Sequence, residues 1–185
     1  MISAFFLRYS RQRFSVRVKT GFTIIEIIMV IVVIGIMAAA AVPRIDTLRK
    51  QIKLQGSVKK LVSDIRYAQS VAISRHTNTI VIFDVANNSY RIEWYNDAVA
   101  AWQALPDPAT RSSIVIDFDT DAQYSGMTLS SPNFGGTVSL RFDWEGVPQD
   151  MAGVALVAAG SVDLEIGGDV QAVTVTPQTG KVETP

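Results

Sequence analysis

The chain has 185 residues, of which 48% are hydrophobic, and it carries 17 basic side chains, 17 acidic side chains, one histidine and no cysteine. This apolar content excludes an intrinsically disordered chain, and the length fits one domain of ordinary size. The lack of cysteine excludes disulfides, thiolate metal sites and cysteine nucleophiles.

The formal net charge of zero is a cancellation between segments. Residues 1–25 carry +5, residues 26–43 carry −1, residues 44–75 carry +6 and residues 76–185 carry −10. The sequence therefore divides into a basic leader, an apolar segment, a basic stretch and an acidic C-terminal region.

The apolar segment runs from Phe22 to Val42 and contains one charged residue, Glu26. As a helix it would be about 30 Å long, which is enough to cross a bilayer, so residues 22–43 are predicted to form a single transmembrane span. A cleaved secretory signal is the alternative, because a basic leader precedes the run and alanines occupy positions 38–41. Against it, the run is longer than an ordinary signal and contains a carboxylate. Basic residues on both sides leave the orientation open.

Glu26 makes membrane insertion of this segment less favourable, because placing a carboxylate in hydrocarbon costs about 3 kcal/mol on insertion scales. It could reach the headgroups, since it lies one turn from the end of the span. Alternatively it could pair with a cation, but no basic side chain lies between Phe22 and Val42. Cleavage after Gly21 would create an α-amino group one turn from Glu26, available to a neighbouring copy of the chain.

Residues 19–26, Lys-Thr-Gly-Phe-Thr-Ile-Ile-Glu, together with the apolar run and Pro43, resemble the type III signal of type IV prepilins and type II secretion pseudopilins. The resemblance implies cleavage after Gly21 by a prepilin peptidase, N-methylation of Phe22, and neutralisation of an adjacent subunit's N-terminal amine by Glu26 during assembly. Two charges that are each costly in lipid can enter it together if they pair. The implied location is the bacterial inner membrane, crossed once, with the C-terminal head in the periplasm.

An amphipathic helix is predicted to follow, so that helix extends from Phe22 to about Arg75, with a kink at Pro43. Polar residues such as Asp64 are assigned to the faces away from the core. Six basic residues between Arg44 and Lys60 form either a solvated face near lipid headgroups or a surface that pairs with acidic neighbours in a filament. The predicted apolar face consists of Val58, Leu61, Val62, Ile65, Ala68, Val71 and Ala72.

From Thr77 onward, branched and aromatic residues between glycines and prolines predict strands without intervening helices, and hence antiparallel sheet packed on the amphipathic helix. Ala86, Asn87 and Asn88 mark a hairpin. The predicted strands are 78–85, 89–95, 113–118, 137–143, 154–158, 162–166 and 171–176, with a weaker last strand at 181–184.

Two further stretches resemble the GspH/FimT class of minor pseudopilins. Residues 65–75 are similar to the end of its long helix, although Gln69 and Val71 depart from the commoner arginine and glutamate, and residues 173–182 are similar to its closing hairpin. The implied fold is α+β and type IV pilin-like, a long N-terminal helix with a transmembrane first half packed against an antiparallel β-sheet head. The implied segments are a leader (1–21), a transmembrane assembly helix (22–43), an amphipathic periplasmic half-helix (44–75) and a β-rich head (76–185).

The residues indicate no enzyme and no cofactor. His76 is the only histidine, and we expect it to end the helix. Asp117, Asp119 and Asp121 could suggest calcium, but they lack the glycine and glutamate of an EF-hand loop, which favours a solvated strand end. The three tryptophans, Trp94, Trp102 and Trp144, are expected to be core or interface anchors.

The function predicted from the sequence is a minor pseudopilin at the tip of the periplasmic pseudopilus, supporting protein export through a type II secretion system. Expected partners are prepilin peptidase, other major and minor pseudopilins, inner-membrane lipid, and secreted substrates or the secretin. A FimT-like minor pilin, serving adhesion or DNA uptake, is the alternative. Nucleic-acid binding is disfavoured because the tail has one cation, Lys181, beside one anion, Glu183. A membrane-anchored periplasmic enzyme or binding module would need a convergent polar site.

Overall fold

A computed structural model describes residues 21–184, with the side chains of residues 40–45 outside the description. The basic part of the predicted leader, residues 1–20, therefore lies outside the described residues. The chain divides into two compact units between Val42 and Pro43.

The helix α1 (Ile24–Arg75) confirms the predicted helix, and its residues belong to both units. It ends where the sequence predicts, because His76 follows directly with a left-handed φ of 50°. Within the described residues, no helix combines the length and the hydropathy needed to cross a membrane. The transmembrane character of residues 22–43 thus stays a prediction, as does the kink at Pro43, whose side chain is outside the description.

The described residues of the second unit form ten strands, and every pairing between these strands is antiparallel, as predicted. The strands are β1 (Thr79–Asp84), β2 (Ser89–Asn96), β3 (Ala101–Ala104), β4 (Val115–Asp117), β5 (Thr128–Asn133), β6 (Ser139–Phe142), β7 (Pro148–Gln149), β8 (Gly160–Ile166), β9 (Asp169–Val175) and β10 (Val182–Glu183).

These strands form two sheets. The first has the order β3-β2-β1-β6-β7, and β4 pairs with β2 beside β3; the second has the order β10-β9-β8-β5. The hairpin predicted around Asn87 joins β1 to β2, with Asp84 opposite Ser89. Gly167 and Gly168 join β8 to β9 in a two-residue turn with φ values of 60° and 93°, a conformation that favours glycine at both positions.

One hydrophobic cluster connects the helix to both sheets. Leu61, Ile65, Ala68 and Ala72 of α1 have no exposed surface, and they recur at the three- and four-residue steps of one helix face. The alternating inward residues of both sheets complete the cluster: Val81, Phe83, Tyr90, Ile92, Leu140 and Phe142 in the first sheet, and Leu129, Val162, Leu164, Val173 and Val175 in the second. The predicted packing of sheet against the amphipathic half of the helix is confirmed, with two sheets in place of one.

The sequence analysis misses three of the strands, and it predicts one strand that does not form. The sequence does not predict β3, β5 and β7, because they are short or contain alanine, serine and proline in place of branched residues. Residues 154–158 form no strand, and only an isolated bridge joins Ala155 to Gln149. Val157 is 97% exposed. The apolar residues of this segment therefore predicted a strand, but the segment does not pair with a neighbouring strand of either sheet.

Candidate functional site

The predicted processing junction lies at the beginning of the described chain. Gly21 and Phe22 precede the helix and are exposed. The space around the Gly21 α-carbon is open, because a β-carbon added there would have no neighbouring atom within 4 Å. Phe22 is 80% exposed. This backbone is therefore accessible to another protein.

Thr23 and Glu26 form the start of the helix. The Glu26 amide donates to the Thr23 hydroxyl at 3.3 Å and to the Thr23 carbonyl at 3.1 Å, so Thr23 is the N-cap and Glu26 the third helical residue. This spacing of threonine and glutamate is that of a capping box, and a negative charge in the first turn also complements the helix dipole. The Glu26 side chain is exposed.

Residues 22–39 form a surface that is apolar on every side. All of their side chains are exposed, and Glu26 is the one charged residue among them. Isoleucine, valine and methionine predominate, each with half or more of its surface uncovered. Burying such a side chain contributes about 1.5–3 kcal/mol, so this surface favours a lipid or protein environment over water.

The basic stretch that follows is partly engaged with the head, which differs from a uniformly solvated face. The Lys53 ammonium donates to the Ser125 hydroxyl at 3.0 Å and to the Ser125 carbonyl at 3.2 Å, and Lys60 lies 3.8 Å from Asp107. Arg49, Lys50 and Lys59 are exposed. Pairing of these exposed cations with a filament neighbour stays a prediction.

A buried polar cluster, formed by Lys60, Asp64 and Tyr90, fixes the helix against the first sheet. The Asp64 carboxylate accepts from the Lys60 ammonium at 2.7 Å and from the Tyr90 hydroxyl at 2.8 Å, and Asp107 lies 3.8 Å from Lys60. Asp64 is only 5% exposed, so its assignment to a polar face was wrong. Its position is three residues after Leu61 and four before Ala68, which is the signal that could have found it.

The cluster alters the acid–base behaviour of its members. Burial, followed by the charge and hydrogen bond of Asp64, raises the pKa of Tyr90 well above its usual value. Burial lowers the pKa of Lys60, but the hydrogen bond and charge of Asp64 outweigh this effect and the net shift is upward. The neutral phenol and the ammonium are thus the forms that the fold favours.

Further side chains of α1 bind the main chain of both sheets. Gln69 donates at 2.9 Å to the Gly146 carbonyl, in the turn before β7, and at 2.9 Å to the Thr179 carbonyl, in the turn before β10. Arg66 donates to the Val182 carbonyl at 2.9 Å. Gln69, which departs from the commoner residue of the class, therefore has a structural role in this chain.

Of the three aspartates considered for calcium, Asp117 and Asp121 cap turns and Asp119 binds a side chain of the first hairpin. Asp117 accepts from the amides of Asp119 and Thr120 at 2.9 and 3.1 Å, and these bonds lower the pKa of its carboxyl. Asp119 accepts from Asn88, and Asp121 accepts from the Gln123 amide. Among the described residues, no three histidine or acidic side chains converge as metal ligands would.

Aromatic residues frame the end of α1. Trp94 packs against the core and lies 5.0 Å from the Arg75 guanidinium, while His76 contacts Trp144 edge-on at 6.0 Å. Trp102 and Trp144 are 37% and 52% exposed. Trp94 is therefore a core anchor, as predicted. The exposed rings of Trp102 and Trp144 are available to a partner.

Comparison with known proteins bears on both the helix and the head. Residues 57–180 match the family described as Type II transport protein GspH. No curated protein matches the sequence.

Among solved structures, two of the minor pseudopilin EpsH from the type II secretion system of Vibrio cholerae superpose with a TM-score of 0.54 at 12% identity. They cover 72% and 74% of this chain and 96% and 97% of their own. The type IV minor pilin FimU of Pseudomonas aeruginosa gives a TM-score of 0.46 at 14% identity, over 74% of this chain and 90% of its own. The EpsH likeness shows a shared α+β pilin-like fold.

Proposed function

The chain belongs to the GspH family, and from this membership we propose that it is a minor pseudopilin of a type II secretion system, acting by assembly and not by catalysis. In this proposal, residues 22–43 anchor it in the bacterial inner membrane and the head of residues 76–185 lies in the periplasm. Its partners are prepilin peptidase, the other pseudopilins of the pseudopilus and inner-membrane lipid, with the secretin or secreted proteins near the tip.

The observation that carries the proposal is the exposed apolar surface of residues 22–39. An uninterrupted apolar helix face on all sides is typical of a segment surrounded by lipid or by other helices. In a filament, removal from the membrane is favourable only if neighbouring helices cover this surface. Residues 22–39 are therefore suited first to lipid in the membrane and then to contact with neighbouring helices in the filament.

Glu26 supplies the specificity of that exchange. Its carboxylate is exposed at the third helical position, one turn after Phe22. Cleavage after Gly21 would make Phe22 an α-ammonium terminus, and a neighbouring subunit's Glu26 could pair with it. Such a pair removes two costly charges from the apolar layer and fixes the axial register between subunits.

The first test is the mature N-terminus. Mass spectrometry of the protein purified from its own host should find a chain that begins with N-methylated Phe22. A chain that begins near Val42 would instead identify residues 22–42 as a cleaved secretory signal and contradict the proposal.

The second test separates assembly from processing. Glu26→Ala should still be cleaved after Gly21, but it should not co-purify with the other pseudopilins, and secretion should fall. Asp46→Ala is the matched control, because it removes an exposed carboxylate from the same helix outside the apolar surface. Normal incorporation of Glu26→Ala would refute the pairing. Loss of pili with intact secretion in a deletion strain would favour the FimT-like minor pilin.

A further inference from the structure

The second sheet has an edge that β10 covers only in part. β10 pairs with Val175 and Thr174 of β9 and continues no further, whereas β9 extends back to Asp169. Residues 169–172 of β9 are exposed or half-buried, in contrast to the buried Val173 and Val175. The first half of β9 is therefore an edge strand within the described part of the chain.

The register of the sheet shows which main-chain groups face this edge. Asp169 and Ile166 flank the two-residue turn, so the residues of β9 that bond to β8 are Asp169, Gln171, Val173 and Val175. The intervening residues face the opposite edge, which agrees with the bond from the Thr176 amide to the Lys181 carbonyl beside β10. The amides and carbonyls of Val170 and Ala172 consequently point outward, without a main-chain partner among the described residues.

A groove of about 830 Å³ runs between this edge and the helix. We name it the β9 groove, and its volume is within the range of pockets that hold ligands. Val62, which is half-buried, contributes apolar surface to its lining. Its polar lining residues include Lys59, Arg66, Gln171, Thr174, Lys181 and Glu183.

The charge of the β9 groove is opposite to that of the head around it. Three cations and one anion line it, in a head whose residues 76–185 carry −10. Glu183 is already paired with Lys181, and Arg66 bonds to the Val182 carbonyl. Lys59 has neither an ion pair nor a hydrogen bond within the described part of the chain, so it is the cation available to a partner.

We propose that the β9 groove binds an extended acidic segment of a partner protein, which adds as a strand to the open edge of β9. The main chain of the segment would pair with Val170 and Ala172, and alternate side chains would face α1. Acidic groups at those positions would meet Lys59, and apolar groups would meet Val62. The interaction does not depend on the membrane segment or on its processing.

The test uses the full chain in detergent micelles and two synthetic peptides, one of alternating glutamate and valine and one of alternating lysine and valine. Amide hydrogen exchange of Val170 and Ala172 should be fast in the free protein and should slow by about tenfold or more with the acidic peptide at saturation. The lysine peptide should leave both amides unchanged. Equal protection by the two peptides, or by neither, would overturn the proposal.

Two matched pairs of variants locate the binding. Ala172→Pro removes the outward amide and should abolish protection at Val170, whereas Ala172→Thr keeps the amide and should retain it. Lys59→Glu should weaken binding of the acidic peptide at least tenfold, whereas Arg49→Glu makes the same charge change outside the groove and should not. Tryptophan fluorescence verifies that each variant is folded.

Other occupants give distinct results that would contradict the proposal. Protection of Val170 and Ala172 that rises with protein concentration alone would assign the edge to a second copy of this chain. Protection by single-stranded oligothymidine in preference to the acidic peptide would assign it to nucleic acid. Because neither the peptides nor the oligonucleotide involves Phe22 or Glu26, these results are independent of the assembly proposal.

Discussion

The two parts of α1 use apolar residues for opposite purposes. In residues 22–39 every side chain is exposed, and the apolar residues surround the helix. In residues 54–72 the apolar residues follow one face and are buried against two sheets, while charged and polar residues occupy much of the remainder. The angular distribution of apolar residues, and not their number, decides whether a helix stabilises its own domain or leaves a surface for other molecules.

The largest effect should come from the buried face. Leu61→Ala should lower the free energy of unfolding of the head by about 2–5 kcal/mol, because Leu61 is fully buried and leaves a cavity. Chemical denaturation followed by tryptophan fluorescence measures this, since all three tryptophans lie in the head. Ile31→Ala, in the exposed apolar surface, should leave the transition unchanged. Equal losses of unfolding free energy in Leu61→Ala and Ile31→Ala would contradict the distinction between the buried face and the exposed apolar surface.

A smaller loss should follow from the polar member of the buried face. Tyr90→Phe removes the hydroxyl that donates to Asp64 and should cost about 1–3 kcal/mol, because a buried carboxylate loses one of its two partners. Tyr67→Phe is the control: its hydroxyl bonds to the Pro106 carbonyl at 3.2 Å in a half-buried position, and its loss should cost about 0.5–1.5 kcal/mol. The reverse ranking would argue against the importance of the Lys60–Asp64–Tyr90 cluster.

The same cluster predicts a pH dependence. The pKa of Tyr90 is higher in the folded chain than its unfolded value of 10.0, so the folded state holds its proton when the unfolded state has lost it. The contribution of Tyr90 to the free energy of unfolding is then fully present below about pH 10 and is lost as the pH rises further. The raised pKa of Lys60 changes the free energy of unfolding in the same direction. Denaturation midpoints between about pH 8 and pH 11 should fall less steeply in Tyr90→Phe than in the native sequence.

The smallest effect should come from the exposed end of the helix. Arg75→Ala removes the guanidinium above Trp94 and should cost about 0.5–1 kcal/mol. Arg49→Ala, also exposed on α1 but without an aromatic partner among the described residues, should be neutral. A loss above that of Tyr90→Phe would show that the end of the helix, and not its buried face, holds the head in place.

Much of the fold was readable because its signals are local. The three- and four-residue recurrence of Leu61, Ile65 and Ala68 predicts which side of the helix is buried, and the Asn87 turn predicts the first hairpin. Strand β5 was not readable, because Pro132 and two serines weaken it and only its pairing with β8 creates it. Division into two sheets is likewise a tertiary result that no single segment encodes.

Only part of the candidate site could be predicted from the sequence. Gly21, Phe22 and Glu26 form a linear motif, so sequence alone is sufficient to propose them. Asp64 was assigned to a solvated face because carboxylates are rarely buried, and its partner Tyr90 is distant in sequence. The open edge of β9 could not be predicted either, because it depends on where β10 ends.

The two hydrogen bonds of Gln69 also have a mechanical meaning. One amide nitrogen holds the carbonyls of Gly146 and Thr179, and these belong to connections within different sheets. Tension applied along the helix axis would therefore be shared by both sheets through one side chain. A head built in this way should rupture in a single step under force.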